Sequence, residues 1–356
     1  MTTLKIIDGH NDTFLRLYQN EQKGYTRSFF ERSEEGHIDY PRAVEGGLAG
    51  GFFAVFLPNK KRKEGKMPVP AEDGTLSYQV PLPKPLKYNY AARQAIAITS
   101  RIIRAEEASE GRVEIVRNAA ALEGCLDDGR LAIILHFEGA EAIDKNFDAL
   151  HVYYAAGLRS LGLVWSRPNR FAAGVPFNYP DSPDIGPGLT DLGKALVREC
   201  NQLGVMLDLS HLNEKGFWDA AALTDAPLVA THSNAHALCP VPRNLTDKQL
   251  DAIGESGGMV GMNFHVGFLR ADGRFDQETS LSEIVRHLTY ITERIGVDHV
   301  GFGSDFDGAT MPDDLGDVTG LPRLVAALRD AGFDDADLRK ITHENWLRVL
   351  RQTWRA

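Results

Sequence analysis

The sequence has few cysteines, and their spacing pairs none of them. Its 356 residues include only Cys125, Cys200 and Cys239, which lie far apart. A Cys-x-x-Cys metal pair is missing, and so is the dense cysteine pattern of a disulfide-rich secreted protein. We therefore expect a reducing compartment and no disulfide framework.

Long apolar runs and an excess of positive charge are missing as well. No apolar run is long enough to span a bilayer, and residues 1–8 are too short and too polar for a signal peptide. The net charge is −10, and the short Lys/Arg run at 60–63 does not offset it, which disfavours binding to nucleic acid. Unless a signal segment has been removed, we expect a cytoplasmic protein with neither a nucleic-acid nor a membrane partner.

Two common enzyme motifs are also absent. The sequence contains no Gly-x-Ser-x-Gly elbow, so a serine nucleophile on a sharp turn has no support. No Gly-x-Gly-x-x-Gly loop follows the first apolar run, which weakens the case for a doubly wound open sheet with a dinucleotide site.

Short apolar runs alternating with helical patterns are what the sequence does contain. The runs are rich in Val, Ile, Leu and Phe and mostly lack strict alternation, as is typical of parallel strands buried on both faces. Eight such runs predict a single (β/α)8 barrel domain over residues 1–356, in preference to an open sheet. They cover residues 4–7, 51–56, 131–137, 160–165, 205–209, 227–230, 259–264 and 299–303. Helices are predicted at 90–107, 190–203, 214–223, 281–295, 321–331 and 335–354.

One segment, residues 58–87, fits neither pattern. It is rich in Pro and Lys and follows the second predicted strand. A barrel places such a loop at its C-terminal mouth, where active sites form. The segment is expected to shape a substrate pocket or a dimer contact, and a plain surface insertion is about equally consistent with its composition.

Metal-ligating residue types follow five of the predicted strands. Because the ends of barrel strands converge on one mouth, these side chains should meet there. Imidazole and carboxylate groups are ligands that zinc prefers, and the set exceeds what one catalytic ion needs, so two zinc ions are expected. The residues are His10, Asp12, Glu138, His211, His232 and Asp305.

The motifs around these residues resemble those of the membrane (renal) dipeptidase family, zinc peptidases of the amidohydrolase superfamily. The resemblance extends from Asp8 to the last helix and is highly specific, because six motifs occur in the family's order. They are Asp-Gly-His-Asn-Asp at 8–12, Phe-Glu-Gly-Ala at 137–140, Asp-Leu-Ser-His at 208–211, Thr-His-Ser-Asn-Ala at 231–235, Pro-Arg-Asn at 242–244 and Gly-Phe-Gly-Ser-Asp-Phe-Asp-Gly at 301–308.

The resemblance implies a role for each matching residue. His10 and Asp12 would bind one zinc ion, His211 and His232 the other, and Glu138 would bridge them. Asp305 would be the acid/base residue beside a bridging hydroxide, the nucleophile that paired zinc ions make available near neutral pH. Arg243 would clamp the free carboxylate of the substrate, because its guanidinium matches a carboxylate in two hydrogen bonds.

Two positions depart from the family pattern. Trp165 stands where mammalian members carry a histidine that aids the oxyanion, so zinc alone, Arg167, Asn169 or Arg170 would have to stabilise that charge. His265 stands where a tyrosine is common, and we expect both Trp165 and His265 to contact substrate. His136 has the period-2 spacing to lie one layer below Glu138, either supporting it or simply filling the interior.

The sequence thus predicts a binuclear zinc dipeptidase that cleaves dipeptides with a free C-terminal carboxylate, with L,D-dipeptides as open candidates. A related amidohydrolase acting on N-acyl amino acids or lactams is the alternative enzyme, and an inactive metal-binding barrel is a weaker one. The resemblance also implies a homodimer. Four further histidines are expected at the surface or at helix ends, namely His37, His151, His287 and His343.

Overall fold

A closed parallel barrel forms the centre of the molecule, as the apolar runs predict. The computed structural model describes residues 4–59 and 76–355, and within them nine strands belong to one sheet. The strands are β1 (Ile6–Asn11), β2 (Leu48–Phe56), β3 (Val113–Ile115), β4 (Leu131–Glu138), β5 (Leu158–Gly162), β6 (Met206–Asp208), β7 (Val229–Ala230), β8 (Met259–Met262) and β9 (Val300–Phe302). Pairing of β2 with both β1 and β4, and of β9 with both β1 and β8, closes eight of them into a (β/α)8 barrel.

The ninth strand, β3, is missing from the sequence-based prediction. It pairs in parallel with the first three residues of β4, on the edge that β5 occupies further along the same strand. A three-residue strand carries too short a pattern to be distinguished from a loop. The first predicted strand also ends too early, because β1 continues through the Asp-Gly-His-Asn motif to Asn11.

Helices surround the barrel and confirm all six helical predictions with small shifts at their ends. They are α1 (Thr13–Gln22), α2 (Tyr40–Glu45), α3 (Tyr88–Ala108), α4 (Ala119–Asp128), α5 (Asp148–Ala156), α6 (Asp191–Leu203), α7 (Glu214–Ala221), α8 (Asp247–Glu255), α9 (Leu281–Ile295), α10 (Leu321–Asp330), α11 (Asp335–Arg339) and α12 (Asn345–Thr353). A π-helical turn, Lys340–Glu344, divides the predicted final helix into α11 and α12. No helix within the described ranges has the length and apolar character needed to cross a membrane.

The interior of the barrel changes from apolar to polar toward the mouth. Every residue of β4 is buried, and Ile134, His136 and Glu138 follow one another on the same face because side chains alternate along a strand. Ile134 belongs to a buried apolar cluster that includes Trp346 of α12. The Trp346 ring also lies 4.8 Å from that of Phe52. This apolar layer supports a polar layer, where the candidate ligands lie.

The long predicted loop enters and leaves at the mouth. Its residues 60–75 lie outside the described residues, so its effect on the pocket stays a prediction. Before them, Leu57 and Asn59 accept hydrogen bonds from Arg167 at 2.8 and 3.0 Å. After them, Tyr78 forms an antiparallel bridge with Tyr179. Both flanks are therefore attached to the long connection between β5 and α6.

Candidate metal centre

The structure brings together all six candidate residues from five strand ends. Two sets of histidine nitrogens and carboxylate oxygens lie within 4.8 Å of one another, one formed by His10, Glu138 and His232 and the other by His10, Asp12 and Asp305. The rings of His10 and His232 stack with centroids 3.9 Å apart. Convergence of this kind follows from the parallel barrel, in which the carboxyl ends of all strands face one opening.

His10 and Asp12 lie side by side where β1 ends. His10 Nε2 is 3.6 Å from Asp12 Oδ2, and both side chains are buried. Both ring nitrogens of His10 and Oδ1 of Asp12 are enclosed without a hydrogen-bond partner among the described residues. Buried polar atoms without partners are costly in a folded protein, so this pair fits a bound cation that would satisfy them.

Glu138, at the end of β4, faces both halves of the centre. Its Oε1 is 2.9 Å from His211 Nε2 and 3.7 Å from His232 Nε2. Its Oε2 is 3.8 Å from His10 Nε2. The two oxygens of one carboxylate therefore face different groups of nitrogen atoms.

His211 and His232 present their Nε2 atoms to the same point. These atoms are 3.1 Å apart, close to the separation of about 3.3 Å expected for two nitrogens bound tetrahedrally to one zinc ion. Nδ1 of His211 contacts the Ser166 hydroxyl and Nδ1 of His232 contacts the Thr231 hydroxyl, each at 2.8 Å. Burial lowers the pKa of both imidazoles well below the usual range, so both rings are neutral, as metal binding requires.

The half of the centre that contains His10, Asp12 and Asp305 attracts positive charge. Burial opposes a charge on His10, yet the carboxylates of Glu138, Asp12 and Asp305 outweigh it and raise the pKa of His10 to about 10. Burial also raises the pKa of Glu138 well above its usual range. A buried group of carboxylates that draws a proton onto a neighbouring imidazole is a suitable environment for a divalent cation.

Asp305 lies beside the His10 and Asp12 pair. Its Oδ2 accepts a hydrogen bond from Asn263 Nδ2 at 3.0 Å, and its backbone N–H donates to the His10 carbonyl at 2.9 Å. Asp305 has a φ of 64°, a left-handed conformation that is strained for a residue with a side chain and is common at functional sites. A Cβ on Gly308 would overlap carboxylate oxygens of both Asp12 and Asp305, so a glycine is required there.

Arg243 is buried on the far side of the centre. Its Nη2 donates to the His232 carbonyl at 2.9 Å and its Nη1 to Ser233 Oγ at 3.3 Å, while its Nε lacks a partner among the described residues. Its guanidinium also lies over the ring of Phe268. Burial lowers the pKa of Arg243 to about 10, so the group is still cationic at neutral pH.

Aromatic rings line the approach to the centre. Trp165 is half-buried and its ring lies 5.0 Å from Phe56, 5.5 Å from Phe177 and 5.9 Å from His211. His265 is also half-buried at the opposite rim, where its ring meets Phe268 edge to face at 4.6 Å. Burial lowers the pKa of His265. Both residues predicted to contact substrate therefore border the opening.

The three residues considered as helpers for an oxyanion all bind other groups. Arg167 is fully buried and its Nε donates to Glu141 at 2.5 Å. The side chain of Asn169 shapes its own turn, donating to the Leu163 carbonyl at 2.7 Å. Arg170 is exposed and lies over the Tyr88 ring. Each of these three side chains is therefore held by a group other than a substrate.

His136 supports the layer below the ligands. Its Nδ1 is 2.9 Å from Ser160 Oγ, its Nε2 is 3.6 Å from Asp208 Oδ2, and its ring meets that of His10 edge to face. Burial lowers the pKa of His136 to about 3, so the ring is neutral. Two roles were predicted for His136, support of Glu138 and its layer or simple filling of the interior. Its contacts with polar groups fit the supporting role better.

Several supporting residues were missed by sequence reasoning. Asp8 accepts the backbone N–H and the hydroxyl of Ser304 at 2.7 and 2.9 Å, which joins β1 to the loop that carries Asp305. Thr231 and Ser166 orient two imidazoles through their hydroxyls. Asp8 and Thr231 lie within two residues of candidate ligands in the sequence. That adjacency could have identified them as supporting residues.

The expectation for the remaining histidines was partly wrong. His151 is exposed and lies 2.8 Å from Glu199, as expected of a surface residue. His287 is fully buried in α9, where its Nδ1 accepts the N–H of Ala235 and its Nε2 donates to the Leu269 carbonyl. His37 is half-buried against the loop after β9. Helical spacing places His287 on the same face as Ile284, Leu288 and Ile291, which was a signal of its burial.

Comparison with known proteins agrees with this geometry. A model of the membrane dipeptidase family, peptidase family M19, matches residues 1–356. A crystal structure of a metallo peptidase from Rhodobacter sphaeroides, liganded with a phosphinate mimic of the dipeptide L-Ala-D-Ala, is 49% identical with a TM-score of 0.93 and covers 99% of this chain and 100% of that one. The metallo peptidase described as dipeptidase AC is 50% identical with a TM-score of 0.94 over the same shares.

A curated relative extends the comparison to a fungus. Dipeptidase tcpJ of Claviceps purpurea is 28% identical over 352 residues, which cover 97% of this chain and 76% of the relative. The family match over the whole chain, the two superpositions and the converged histidines and carboxylates agree with one another. The chain therefore belongs to the membrane dipeptidase family and is a metal-dependent dipeptidase, a hydrolase of peptide bonds.

Proposed function

We propose that this dipeptidase uses two zinc ions and cleaves dipeptides that end in a free carboxylate, with L,D-dipeptides among them. The observation that carries the proposal is the position of Glu138, whose two oxygens face separate groups of nitrogen atoms. One carboxylate shared in this way fits a bridge between two ions. His10 and Asp12 would hold one ion, and His211 and His232 the other.

The donor set favours zinc over magnesium or calcium. Imidazole nitrogen and carboxylate oxygen are both common zinc ligands, whereas a magnesium or calcium site would be built from oxygen alone. Bound zinc would lower the pKa of a shared water and polarise the scissile carbonyl. This chemistry would also take over the role of the family's oxyanion histidine, whose position Trp165 occupies here.

Asp305 would move the proton. As the water oxygen adds to the carbonyl carbon, Asp305 accepts a proton, and it returns that proton to the amide nitrogen as the C–N bond breaks. Its hydrogen bond from Asn263 and its strained backbone fix the carboxylate in one position. A fixed acid/base group costs little reorganisation during the reaction.

Arg243 would recognise the carboxylate at the end of the substrate. Its guanidinium is buried, cationic and held by Ser233 and the His232 carbonyl, while Nε–H is still free to donate. Because this cation is hydrogen-bonded to the His232 carbonyl, a carboxylate bound to it would lie close to the proposed metal centre. Short substrates are favoured for that reason.

The half-buried rings at the rim would set side-chain preference. Trp165 and His265 border the opening with Phe56, Phe177 and Phe268. The Rhodobacter sphaeroides relative was solved with a mimic of L-Ala-D-Ala, which supports testing a D-residue at the C-terminal position here.

A metal count combined with a matched substrate panel tests the proposal. We expect about two zinc ions per chain and hydrolysis of L-Ala-L-Ala and L-Ala-D-Ala, with poor turnover of L-Ala-L-Ala amide, which lacks the carboxylate. N-acetyl-L-Ala keeps the carboxylate but lacks the free amine, so it separates a dipeptidase from an N-acyl amino acid hydrolase. Faster cleavage of N-acetyl-L-Ala, or purified protein that contains no zinc and resists reconstitution, would overturn the proposal.

A further inference from the structure

A buried chain of polar groups lies directly beneath His232. Thr231 Oγ1 is 2.8 Å from His232 Nδ1 and 2.7 Å from Asp208 Oδ2. All three side chains are buried, with 1% or less of each residue exposed. Solvent therefore does not supply hydrogen bonds to this chain, and the groups must satisfy one another.

The orientation of the Asp208 carboxylate is fixed by backbone amides. Its Oδ1 accepts the N–H groups of Ser210 and Thr231 at 2.9 and 2.8 Å. Oδ2 is thereby turned toward the Thr231 hydroxyl. Because an ionised carboxylate accepts hydrogen bonds but donates none, the single proton of that hydroxyl is directed at Asp208.

The position of the hydroxyl proton determines the tautomer of His232. With its proton committed to Asp208, Thr231 Oγ1 can only accept from the imidazole, so Nδ1 must carry the ring proton. The other nitrogen, Nε2, then carries a lone pair. That lone pair faces His211 Nε2 and Glu138 Oε1, at 3.1 and 3.7 Å.

We propose that Asp208 acts through Thr231 as a positioning residue that keeps the His232 proton on Nδ1 and so prepares Nε2 as a metal ligand before any cation binds. The proposal rests on the proposed metal role of His232, but the tautomer itself is a property of the metal-free chain. Partners behind a ligating imidazole commonly fix its tautomer and change metal affinity 10- to 100-fold.

His211 provides an internal comparison. Its Nδ1 also contacts a hydroxyl, Ser166 Oγ, at 2.8 Å. Across residues 4–59 and 76–355, no hydrogen bond joins that hydroxyl to a carboxylate. The Ser166 proton is free to turn either way, so the hydroxyl behind His211 does not determine the tautomer of that ring as Thr231 does for His232.

Replacing Asp208 with asparagine inverts the chain of hydrogen bonds with little change in shape. The amide oxygen keeps the position of Oδ1, where the two backbone N–H groups require an acceptor, and the NH2 group replaces Oδ2. Thr231 Oγ1 then accepts from the amide, and its proton is donated to His232 Nδ1, the other partner of this hydroxyl among the described residues. That arrangement places the ring proton on Nε2 and blocks the lone pair.

Long-range 1H–15N NMR of protein labelled with 15N-histidine and stripped of metal measures the tautomer directly. The His232 signals are assigned by their loss in His232→Gln. We expect a proton on Nδ1 in the wild type and in Thr231→Ser, and on Nε2 in Asp208→Asn. A wild-type proton on Nε2, or an unchanged tautomer in Asp208→Asn, would overturn the inference.

Zinc affinity, measured by competition with a chelator, gives the second readout. Asp208→Asn and Thr231→Val should each lower the affinity for one of the two zinc ions roughly 10- to 100-fold. The affinity of Thr231→Ser should stay close to that of the wild type. The double variant Asp208→Asn/Thr231→Val lacks the hydroxyl that would donate to His232 Nδ1. The zinc affinity of the double variant should therefore be no lower than that of Thr231→Val. Additive losses, or equal losses in Thr231→Ser, would contradict the mechanism.

The outcomes also separate this inference from the proposed function. A wild-type His232 with its proton on Nδ1 in a protein that takes up no zinc would refute the metal proposal and leave the positioning pair standing. If the protein binds zinc but the His232 tautomer is unchanged in Asp208→Asn, the metal proposal stands and the positioning role of Asp208 is refuted. Thermal unfolding of each variant confirms that the comparison is made between folded proteins.

Discussion

His37 and Asp307 exchange two hydrogen bonds although 270 positions separate them in the sequence. The His37 backbone N–H donates to Asp307 Oδ1 at 2.8 Å, and the Asp307 backbone N–H donates to His37 Nδ1 at 2.8 Å. Asp307, like Asp305, has a left-handed backbone with φ of 65°. A loop held in this conformation needs support from its surroundings, and His37 supplies part of it.

Removing the His37 imidazole should therefore loosen the position of Asp305. We expect His37→Ala to lower kcat on the order of 10- to 100-fold with unchanged zinc content, because small displacements of a catalytic group have effects of that size. His37→Asn, which offers an acceptor to the Asp307 N–H, should recover part of the activity. Exposed His151→Ala is the control, and an equal loss there would rule out a role for this contact.

Asp305→Asn should separate proton transfer from metal binding. We expect a loss in kcat of roughly 100- to 10,000-fold, as is typical when a general acid/base is removed. The zinc content should stay as in the wild type, since the amide keeps the shape of the side chain and the hydrogen-bonding environment. If zinc disappears together with turnover, Asp305 is a ligand and its role as proton carrier is wrong.

Substitutions of Arg243 should slow the hydrolysis of substrates that carry a free C-terminal carboxylate and leave substrates without one unaffected. Arg243→Met should lower kcat/KM for L-Ala-L-Ala on the order of 100-fold, the usual cost of removing one partner from a buried charged contact. Arg243→Lys should recover only part, because an ammonium lacks the planar fork. With L-Ala-L-Ala amide as substrate, the wild type and both variants should have similar kcat/KM values. A uniform loss on both substrates would indicate a structural role only.

Gly303 should tolerate no side chain, because a Cβ there would overlap the carbonyl oxygen of Thr231. Backbone atoms cannot yield as a flexible side chain can, so we expect Gly303→Ala to displace Thr231 and the adjacent His232, with lower zinc affinity and a lower Tm. Gly124→Ala in α4 is the matched control. A Cβ at Gly124 meets only the Arg130 side chain, at 3.7 Å, and the helix should gain about 0.5–1 kcal/mol.

His287 should make stability depend on pH. Burial lowers the pKa of His287 to about 4 from an unfolded value of 6.5, so between these values the unfolded chain binds a proton that the folded chain refuses. Stability is then complete above pH 6.5 and falls as pH drops to about 4, by roughly 3 kcal/mol in total.

Urea unfolding of chelator-treated protein between pH 4.5 and 7.5 measures this slope. His287→Asn keeps an acceptor near Ala235 but does not titrate, so its stability should fall less steeply with acid than that of the wild type. Parallel curves for the two proteins would show that His287 contributes nothing to the acid sensitivity.

The sequence predicted the barrel and the gathering of His10, Glu138 and His211 for one physical reason. Apolar runs mark buried parallel strands, and parallel strands bring the residues after them to one mouth. The residue roles and the homodimer rest on resemblance, zinc identity rests on the ligand types as well, and cytoplasmic location rests on composition; all of them stay predictions.

What the sequence could not show depends on contacts between distant segments. The approach of His37 to Asp307 and the pairing of β3 with β4 leave no local periodicity. Helical periodicity places His287 on the buried face of α9 but does not show which groups its ring contacts. Hydrogen-bond partners such as Ser166 for His211 are set by loop conformation, which single residues do not specify. Periodicity predicts elements, whereas the supporting contacts around a site require coordinates.

Arg167 anchors the chain where the long predicted loop begins. It ties Leu57 and Asn59 to the β5–α6 connection, and the bridge between Tyr78 and Tyr179 fixes the chain where it returns. The segment that joins Asn59 to Tyr78 thus begins and ends at two anchored points. The prediction that this segment shapes the pocket therefore implies that changes within it would alter which dipeptides are accepted while both anchored flanks stay in place.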